Sequence, residues 1–326
     1  MPAAARSSRF DYRPLIALHS NLLRTASRAA GWLINPRGGV RDSKLRDAVE
    51  GKVVLVTGAS RGIGEAAARK LADAGATVLL VARSEEPLRD LEAKIAEHGG
   101  TARAYPADLS DPESVDALVA NVLERHDHVD IVVNNAGKSI RRSVELSYDR
   151  FHDYERTIAI NYLGPVKLLL GLLPSMRERG YGHVVNVSTI GVRIPPGPRW
   201  GAYQASKTAF DVFMRSAALE TRGDGVTMTS IYMALVHTDM SAPTPIFRYL
   251  PGQRPEEAAD VVCRAIVDRP RAITPWWATL AEVGFAVGRT PWDLAAGLAY
   301  RLSGDTSSAE GGASEGAAEV AREERS

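Results

Sequence analysis

From Lys52 onward, short apolar runs alternate with segments of helical period, and this alternation constrains the fold more than any other feature of the chain. "KVVLVTG" is a continuous apolar run ending in glycine, and "EAAARKLADAG" after it reads as a helix. "TVLLVAR" with "EPLRDLEAKIAEHG", and "ARAYPADLS" with "PESVDALVANVLERH", repeat the unit. "VDIVVNNAG" is a fourth strand, followed by a helical region from about 149 to 179 that is expected to break near Gly164-Pro165. "GHVVNVST" is a fifth strand and "VTMTSIYMALV" a sixth, with a loop and a further helix between them. Strands apolar on both sides belong in a parallel sheet covered on both faces. The expected fold is α/β, a doubly wound parallel sheet that binds its ligand at the carboxyl ends of the strands.

The chain has 326 residues, 45% of them apolar, enough for one large core. A formal net charge of +1 gives no global field toward nucleic acid. The single cysteine, Cys263, excludes an internal disulfide and a cysteine zinc cluster and fits a reducing, cytoplasmic setting. It lies in an apolar helical context and reads as core, and no metal site is expected. No apolar run reaches the roughly 18 residues of a spanning helix.

Residues 1–50 form a basic N-terminal extension: 1–46 carry nine Arg and Lys against two Asp, a net +7. The segment from Pro14 to about Asn35 has the pattern of an amphipathic helix carrying Leu15, Leu18, Leu22, Trp32 and Leu33. Peripheral contact with an anionic membrane and packing on a neighbouring subunit both fit it, and a mitochondrial-type presequence has similar composition. Residues 51–270 are the sheet domain. Residues 271–303 are a helical, aromatic-rich extension with Trp276, Trp277, Phe285 and Trp292. Residues 304–326, rich in Gly, Ala, Ser and Glu, are a tail expected to stay disordered.

Three features carry chemistry. "VTGASRGIG" (Val56–Gly64) lies between the first strand and the first helix. Gly58, Gly62 and Gly64 let backbone turn tightly and approach a phosphate, which the helix N-terminus then holds. Arg83 ends the second strand and Arg61 lies within the loop, with no carboxylate at the strand end where an NAD ribose is usually held. Two guanidiniums suit the 2′-phosphate of NADP(H). In "GAYQASK" (Gly201–Lys207), Tyr203 and Lys207 stand one helical turn apart, where an ammonium favours the phenolate. Alone, such a pair is as readily two ordinary helix residues.

Together, "TGASRGIG", Asp108-Leu109, "NNAG" at 134–137, Asn161, "NVST" and Tyr203-x-x-x-Lys207 occur in the order of the short-chain dehydrogenase/reductase family, which the chain resembles over about residues 50–270. The resemblance implies a Rossmann-like fold in one domain with an N-terminal arm and a helical C-terminal extension. It places Thr57, Gly58, Ser60, Arg61, Gly62, Ile63, Gly64 and Arg83 on the cofactor, Asp108 and Leu109 at its adenine, and Asn135, Ala136 and Gly137 along it. Asn161 would hold a water in a proton relay, Tyr203 would be the general acid/base, and Lys207 would bind the nicotinamide ribose. The family's substrate-binding serine aligns with Thr189, and Ser188 is the fallback because alternate residues of a strand face opposite ways. The family's Pro-Gly after the sixth strand is Met233-Ala234 here, while Val236 and Thr238 still match its nicotinamide contacts. Between Thr189 and Tyr203, "IGVRIPPGPRWGA" is one residue longer than the usual spacing.

Finer similarity is to bacterial long-chain fatty acyl-CoA reductases, in "NNAGKSIRRSVELSYDRFHDYERT", "NYLGPVKLLLGLLPSMRERG", "IYMALVHTDMSAPT" and "PEEAADVVCRAIVDRPR". It implies NADPH reduction of a lipophilic acyl-CoA or aldehyde. Arg141 and Arg142, directly after the fourth strand, fit either a contact with CoA phosphates or a solvated surface pair. A reductase or dehydrogenase of another lipophilic ketone, 3-oxoacyl thioester or alcohol is the alternative, and a non-catalytic cofactor sensor is a third. A homodimer or homotetramer is expected from the resemblance.

Overall fold

Seven strands form one sheet in which every neighbouring pair is parallel, in the order β3-β2-β1-β4-β5-β6-β7. The structure is a computed structural model that describes residues 34–302 together with 31, 304, 305 and 309. Helix α1 (Asp42–Val49) precedes β1 (Val53–Thr57). There follow α2 (Gly62–Asp73), β2 (Thr77–Ala82), α3 (Glu85–Glu97), β3 (Thr101–Pro106), α4 (Pro112–His126) and β4 (Ile131–Asn134). Next come α5 (Phe151–Ile158), a π turn at Ala159–Leu163, α6 (Gly164–Glu178) and β5 (Gly182–Thr189). The chain continues through α7 (Gly201–Thr221), β6 (Val226–Met233), α8 (Pro255–Asp268), β7 (Ala272–Ile273), α9 (Ala278–Val287) and α10 (Arg289–Leu302). This is the α/β, Rossmann-like doubly wound fold that the alternation implies.

Alternate residues of each strand enter two separate cores. Val54 and Val56, Val78 and Leu80, Ile131 and Val133, and Val185 and Val187 face the layer of α1, α2, α3 and α8. Leu55, Leu79, Val132 and Val184 face α4, α6 and α7. Burial on both sides is why the strands read as unbroken apolar runs. The strand order reverses between β1 and β4, and the loops leaving their carboxyl ends diverge into a crevice.

The helix at 151–178 is not broken at Gly164-Pro165. The π turn just before this pair widens the backbone where Pro165 offers no N–H, so the helix runs on. A Cβ on Gly164 would lie 1.8 Å from the Leu109 carbonyl oxygen, so only glycine lets α6 pack this closely. This is the one described helix long and apolar enough to cross a membrane, and its Leu168, Leu169, Leu172 and Met176 are fully buried in the core. Residues 255–300 are likewise not helical throughout. Arg269, at φ 46°, ends α8, Pro270 cannot continue it, and β7 forms beyond. Cys263 is buried in α8, and burial pushes its thiol up to about 12.

Much of the basic extension lies outside the described residues, including all but the end of the helix expected from Pro14 to Asn35. From Ile34 on, the chain packs on its own domain. Gln253 Nε2 donates to the Pro36 carbonyl (2.9 Å), Arg264 Nη1 to that of Arg37 (3.0 Å) and Trp277 Nε1 to that of Ile34 (2.9 Å). Trp276 stays largely exposed, and Phe285 and Trp292 pack on each other. Most of the tail lies outside the described residues, but Asp305 is held at the 143 loop, as described below.

Gly164→Ala should lower stability by about 2–4 kcal/mol through overpacking. A denaturant midpoint shifted well below that of the native chain would show it; an unchanged midpoint would contradict the close approach.

Candidate active site

The crevice is built around Thr57, the last residue of β1. Its Oγ1 accepts from the N–H groups of Asn135 and Ala136, both at 3.0 Å, and so ties β1 to the chain leaving β4. Asn135 Nδ2 donates back to the carbonyls of Thr57 (3.0 Å) and Gly58 (3.2 Å). The glycine loop is shaped by contact as well as by torsion. Gly58 and Gly62 have φ of +67° and +62°, and a Cβ on Gly64 would lie 2.2 Å from the Gly58 carbonyl oxygen. Ser60 and Arg61 lead into α2, whose first turn holds Gly62, Ile63 and Gly64. The free N–H groups of that turn are an anion cradle without side chains in the way. Its residues fit a dinucleotide pyrophosphate.

Thr238 packs over this loop, 3.5 Å from where a Gly62 Cβ would stand, and Val236 is buried beside it in a bridge to Gln253. Arg61 and Arg83 are both exposed at the rim. Arg61 is not free of carboxylates: its Nη1 lies 3.4 Å from Asp239 Oδ2. The sequence hid this because the two are far apart along the chain. Both side chains are mostly in solvent, so the pair is worth about 0–1 kcal/mol and yields to a phosphate. Asp108 accepts two hydrogen bonds from Ser110, at 2.6 and 2.9 Å. Burial works against its charge, yet these bonds and the nearby Arg83 hold its carboxyl below the usual range. Leu109 is buried against α6.

The reactive side chains meet on the other flank. Asn161, placed by the π turn, accepts from Lys138 N–H (2.8 Å) and donates to the Lys138 carbonyl (2.8 Å) and to Ser206 Oγ (2.9 Å). Ser206 Oγ donates to the Tyr203 carbonyl at 2.8 Å. Gly137 lies between: a Cβ there would be 2.9 Å from Asn161 Oδ1 and 3.3 Å from Lys207 Nζ. Lys207 is buried and donates to the Val187 carbonyl at 3.3 Å. Burial pushes its ammonium down to about 8 and pushes the Tyr203 phenol up to about 12, against the lowering effect of a hydrogen bond from Thr189. Thr189, not Ser188, therefore reaches Tyr203. Ser188 Oγ is buried on the other side of the strand with no hydrogen-bond partner among the described residues.

Sequence reasoning missed several contributors. Ser206 was legible only as part of "YQASK" and needed the fold to bring it to Asn161. Trp200, in the loop quoted above, lies 6.0 Å from the Tyr203 ring and is backed by Phe247, which stacks on it (5.9 Å between centroids). Arg193 pairs with Glu282 of α9 (Nε–Oε2 2.9 Å), and Arg199 lies over the Tyr300 ring of α10, 4.4 Å from its centroid. The two C-terminal helices thus flank the 190–200 loop.

A glycine loop at a sheet's switch point, facing a half-buried tyrosine and a buried lysine one helical turn apart, defines an oxidoreductase site for a nicotinamide dinucleotide. Residues 52–246 match the family model described as short chain dehydrogenase, and the chain belongs to this family. It is 46% identical to an uncharacterized oxidoreductase of Mycobacterium tuberculosis (strain ATCC 25618 / H37Rv) over 313 residues, 94% of this chain and 91% of that protein. It is 44% identical to a fatty acyl-CoA reductase of Acinetobacter baylyi over 270 residues, 83% of this chain and 91% of that one. A metagenomic short-chain oxidoreductase solved in complex with NADP is 33% identical, with a TM-score of 0.59 over 68% of this chain and 92% of that one.

Because Lys207 loses its proton near pH 8, carbonyl reduction should be level from about pH 6 to 7.5 and fall as pH rises through 8. Lys207→Met should remove this limb and lower kcat/KM about 100-fold. A pH–rate profile of the two proteins checks both, and a native profile rising through pH 8 would contradict the assignment.

Proposed function

We propose that this protein is an NADPH-dependent reductase of a lipophilic carbonyl, and that it converts a long-chain fatty acyl-CoA to the fatty aldehyde. The observation that carries the reading is the 44% identity to a fatty acyl-CoA reductase across 83% of the chain. The first turn of α2, Thr57, Asn135, Ala136, Gly137, Val236 and Thr238 would hold the dinucleotide, with Asp108 and Leu109 at its adenine. Arg61 and Arg83 would meet the 2′-phosphate, in line with the NADP bound by a 33% identical relative. Bound NADPH supplies the hydride.

Tyr203 gives its proton to the oxyanion that develops on the substrate. A phenol near 12 is fully protonated at neutral pH, which suits proton donation and hence reduction. Thr189 hydrogen-bonds Tyr203 and is placed to share the carbonyl oxygen. Lys207 would hold the nicotinamide ribose and supplies a positive charge behind the acid. Asn161 has both amide N–H groups engaged, so in this proposal its side chain positions Lys138 and Ser206, leaving one Oδ1 lone pair for a relay water. The hemithioacetal formed from an acyl thioester expels the CoA thiolate and becomes the aldehyde, a route that needs no cysteine.

Arg141 and Arg142, on the loop after β4, are suited to CoA phosphates. The exposed Leu163 and Leu170 of the long helix and Val212 and Leu219 of α7 are suited to an oligomer of two or four chains.

NADPH oxidation screened across long-chain acyl-CoAs, fatty aldehydes and ketones tests the substrate. Turnover of acyl-CoA is expected; turnover of ketones or 3-oxoacyl thioesters without it would move the protein to the alternative reading. NADH run alongside tests the arginines. Arg83→Ala should raise the KM for NADPH about tenfold and leave that for NADH nearly unchanged. A native preference for NADH would sink the phosphate argument.

A further inference from the structure

We propose that the carboxylate of Asp305 sits in an anion seat at the substrate entrance, and that a phosphate of coenzyme A takes this seat in place of that carboxylate. The inference rests on the acyl thioester reading above. Asp305 Oδ1 accepts from the Ser143 N–H at 3.0 Å, and its Oδ2 lies 3.2 Å from Arg199 Nε. Both partners are buried. The three charges and dipoles make a pocket for one oxyanion: a backbone N–H, a guanidinium, and a second guanidinium close by, that of Arg141. Arg141 Nη1 is buried with no hydrogen-bond partner among the described residues. Burial and then the Arg199 charge work against Arg141's own charge, and Asp305 favours it.

The seat lies beside the reactive groups. Arg142 N–H donates to the Arg199 carbonyl at 2.8 Å, so the loop after β4 and the loop before α7 are joined at this point. Lys138, in the first of these loops, is bonded to Asn161, and Trp200, directly after Arg199, borders Tyr203.

Arginines crowd around the seat. Arg142 (3.3 Å) and Arg150 (3.2 Å) share the single buried carboxylate of Asp153, and Arg156 binds it too. Arg141 and Arg199 share Asp305. Among the described residues, five guanidiniums gather here around the carboxylates of Asp153 and Asp305, a setting that favours a polyanionic ligand over a neutral one. Arginine forks fit phosphate oxygens, and phosphate carries more charge than the carboxylate it would replace. Asp305 lies three residues beyond the end of α10, outside the sheet domain. It thus fills the seat in the absence of substrate and sets a carboxylate against the buried Arg199 guanidinium.

The test uses the full chain saturated with NADP+, with free coenzyme A as the probe, read by calorimetry and by melting temperature. Asp305→Ala should melt below the native protein, bind coenzyme A about three- to tenfold more tightly, and regain more of its melting temperature on coenzyme A than the native protein gains. The near-isosteric Asp305→Asn should behave likewise if the alanine variant folds poorly. Arg141→Ala, in the native background, should weaken coenzyme A binding about three- to tenfold. Pantetheine, which has the thiol arm and no phosphate, should show none of these differences.

Equal coenzyme A affinity in the native and Asp305 variants would overturn the seat, as would the same gain for pantetheine. A gain matched by inorganic phosphate at the same concentration would mark an unspecific anion hole and overturn the coenzyme A assignment. Acyl-CoA turnover is scored separately. Turnover with no change in coenzyme A binding among the variants defeats the seat and leaves the reductase. The predicted binding changes with no turnover defeat the reductase and leave the seat.

Discussion

The side-chain amide of Asn161 is hydrogen-bonded at its oxygen and through both N–H groups, to the loop after β4 and to α7. It is fully buried. Moving either partner would strand a buried polar group at a cost of about 1–3 kcal/mol each, so the two elements hold one relative position. The π turn that carries Asn161 is also what lets the helix pass Pro165, and Gly164 next to it lets that helix approach Leu109. One local irregularity therefore links the helix layer, the Asp108–Leu109 side of the crevice and the reactive pair. Thr57 does the same work on the opposite flank, joining the glycine loop to the segment from Asn135 to Gly137.

Electrostatics gives the site a direction. Burial favours the neutral forms of both Tyr203 and Lys207, so the ground state is a protonated phenol beside an easily deprotonated amine. That arrangement is suited to giving a proton to a developing oxyanion. The opposite reaction needs a phenolate, which the apolar surroundings disfavour until positive charge is brought near. The arginines at the entrance suit the substrate proposed above, whose anionic part would stay outside while its lipophilic part enters.

The fold was legible because strands buried on both faces leave a continuous apolar signal, and because the glycine loop has no other use for three glycines at that spacing. The reactive pair was legible through the order of the motifs around it. Other features were hidden for identifiable reasons. Helix α1 is short and polar, and only burial of Leu45 and Val49 holds it. Strand β7 has two residues, too few for a pattern. The choice of Thr189 over Ser188 depends on which way β5 meets α7, which alternation alone leaves open. The Arg61–Asp239 and Arg199–Asp305 pairs join residues far apart in sequence, so no local motif announces them.

The central claim is hydride transfer to a thioester carbonyl. It is tested most directly by a single turnover with palmitoyl-CoA and NADPH deuterated at both C4 positions, followed by mass analysis of the lipid and titration of free thiol. The account predicts fatty aldehyde or alcohol with deuterium on the former carbonyl carbon, together with one free coenzyme A for each chain reduced. Intact thioester after NADPH oxidation, or deuterium on any other carbon of the acyl chain, would contradict it.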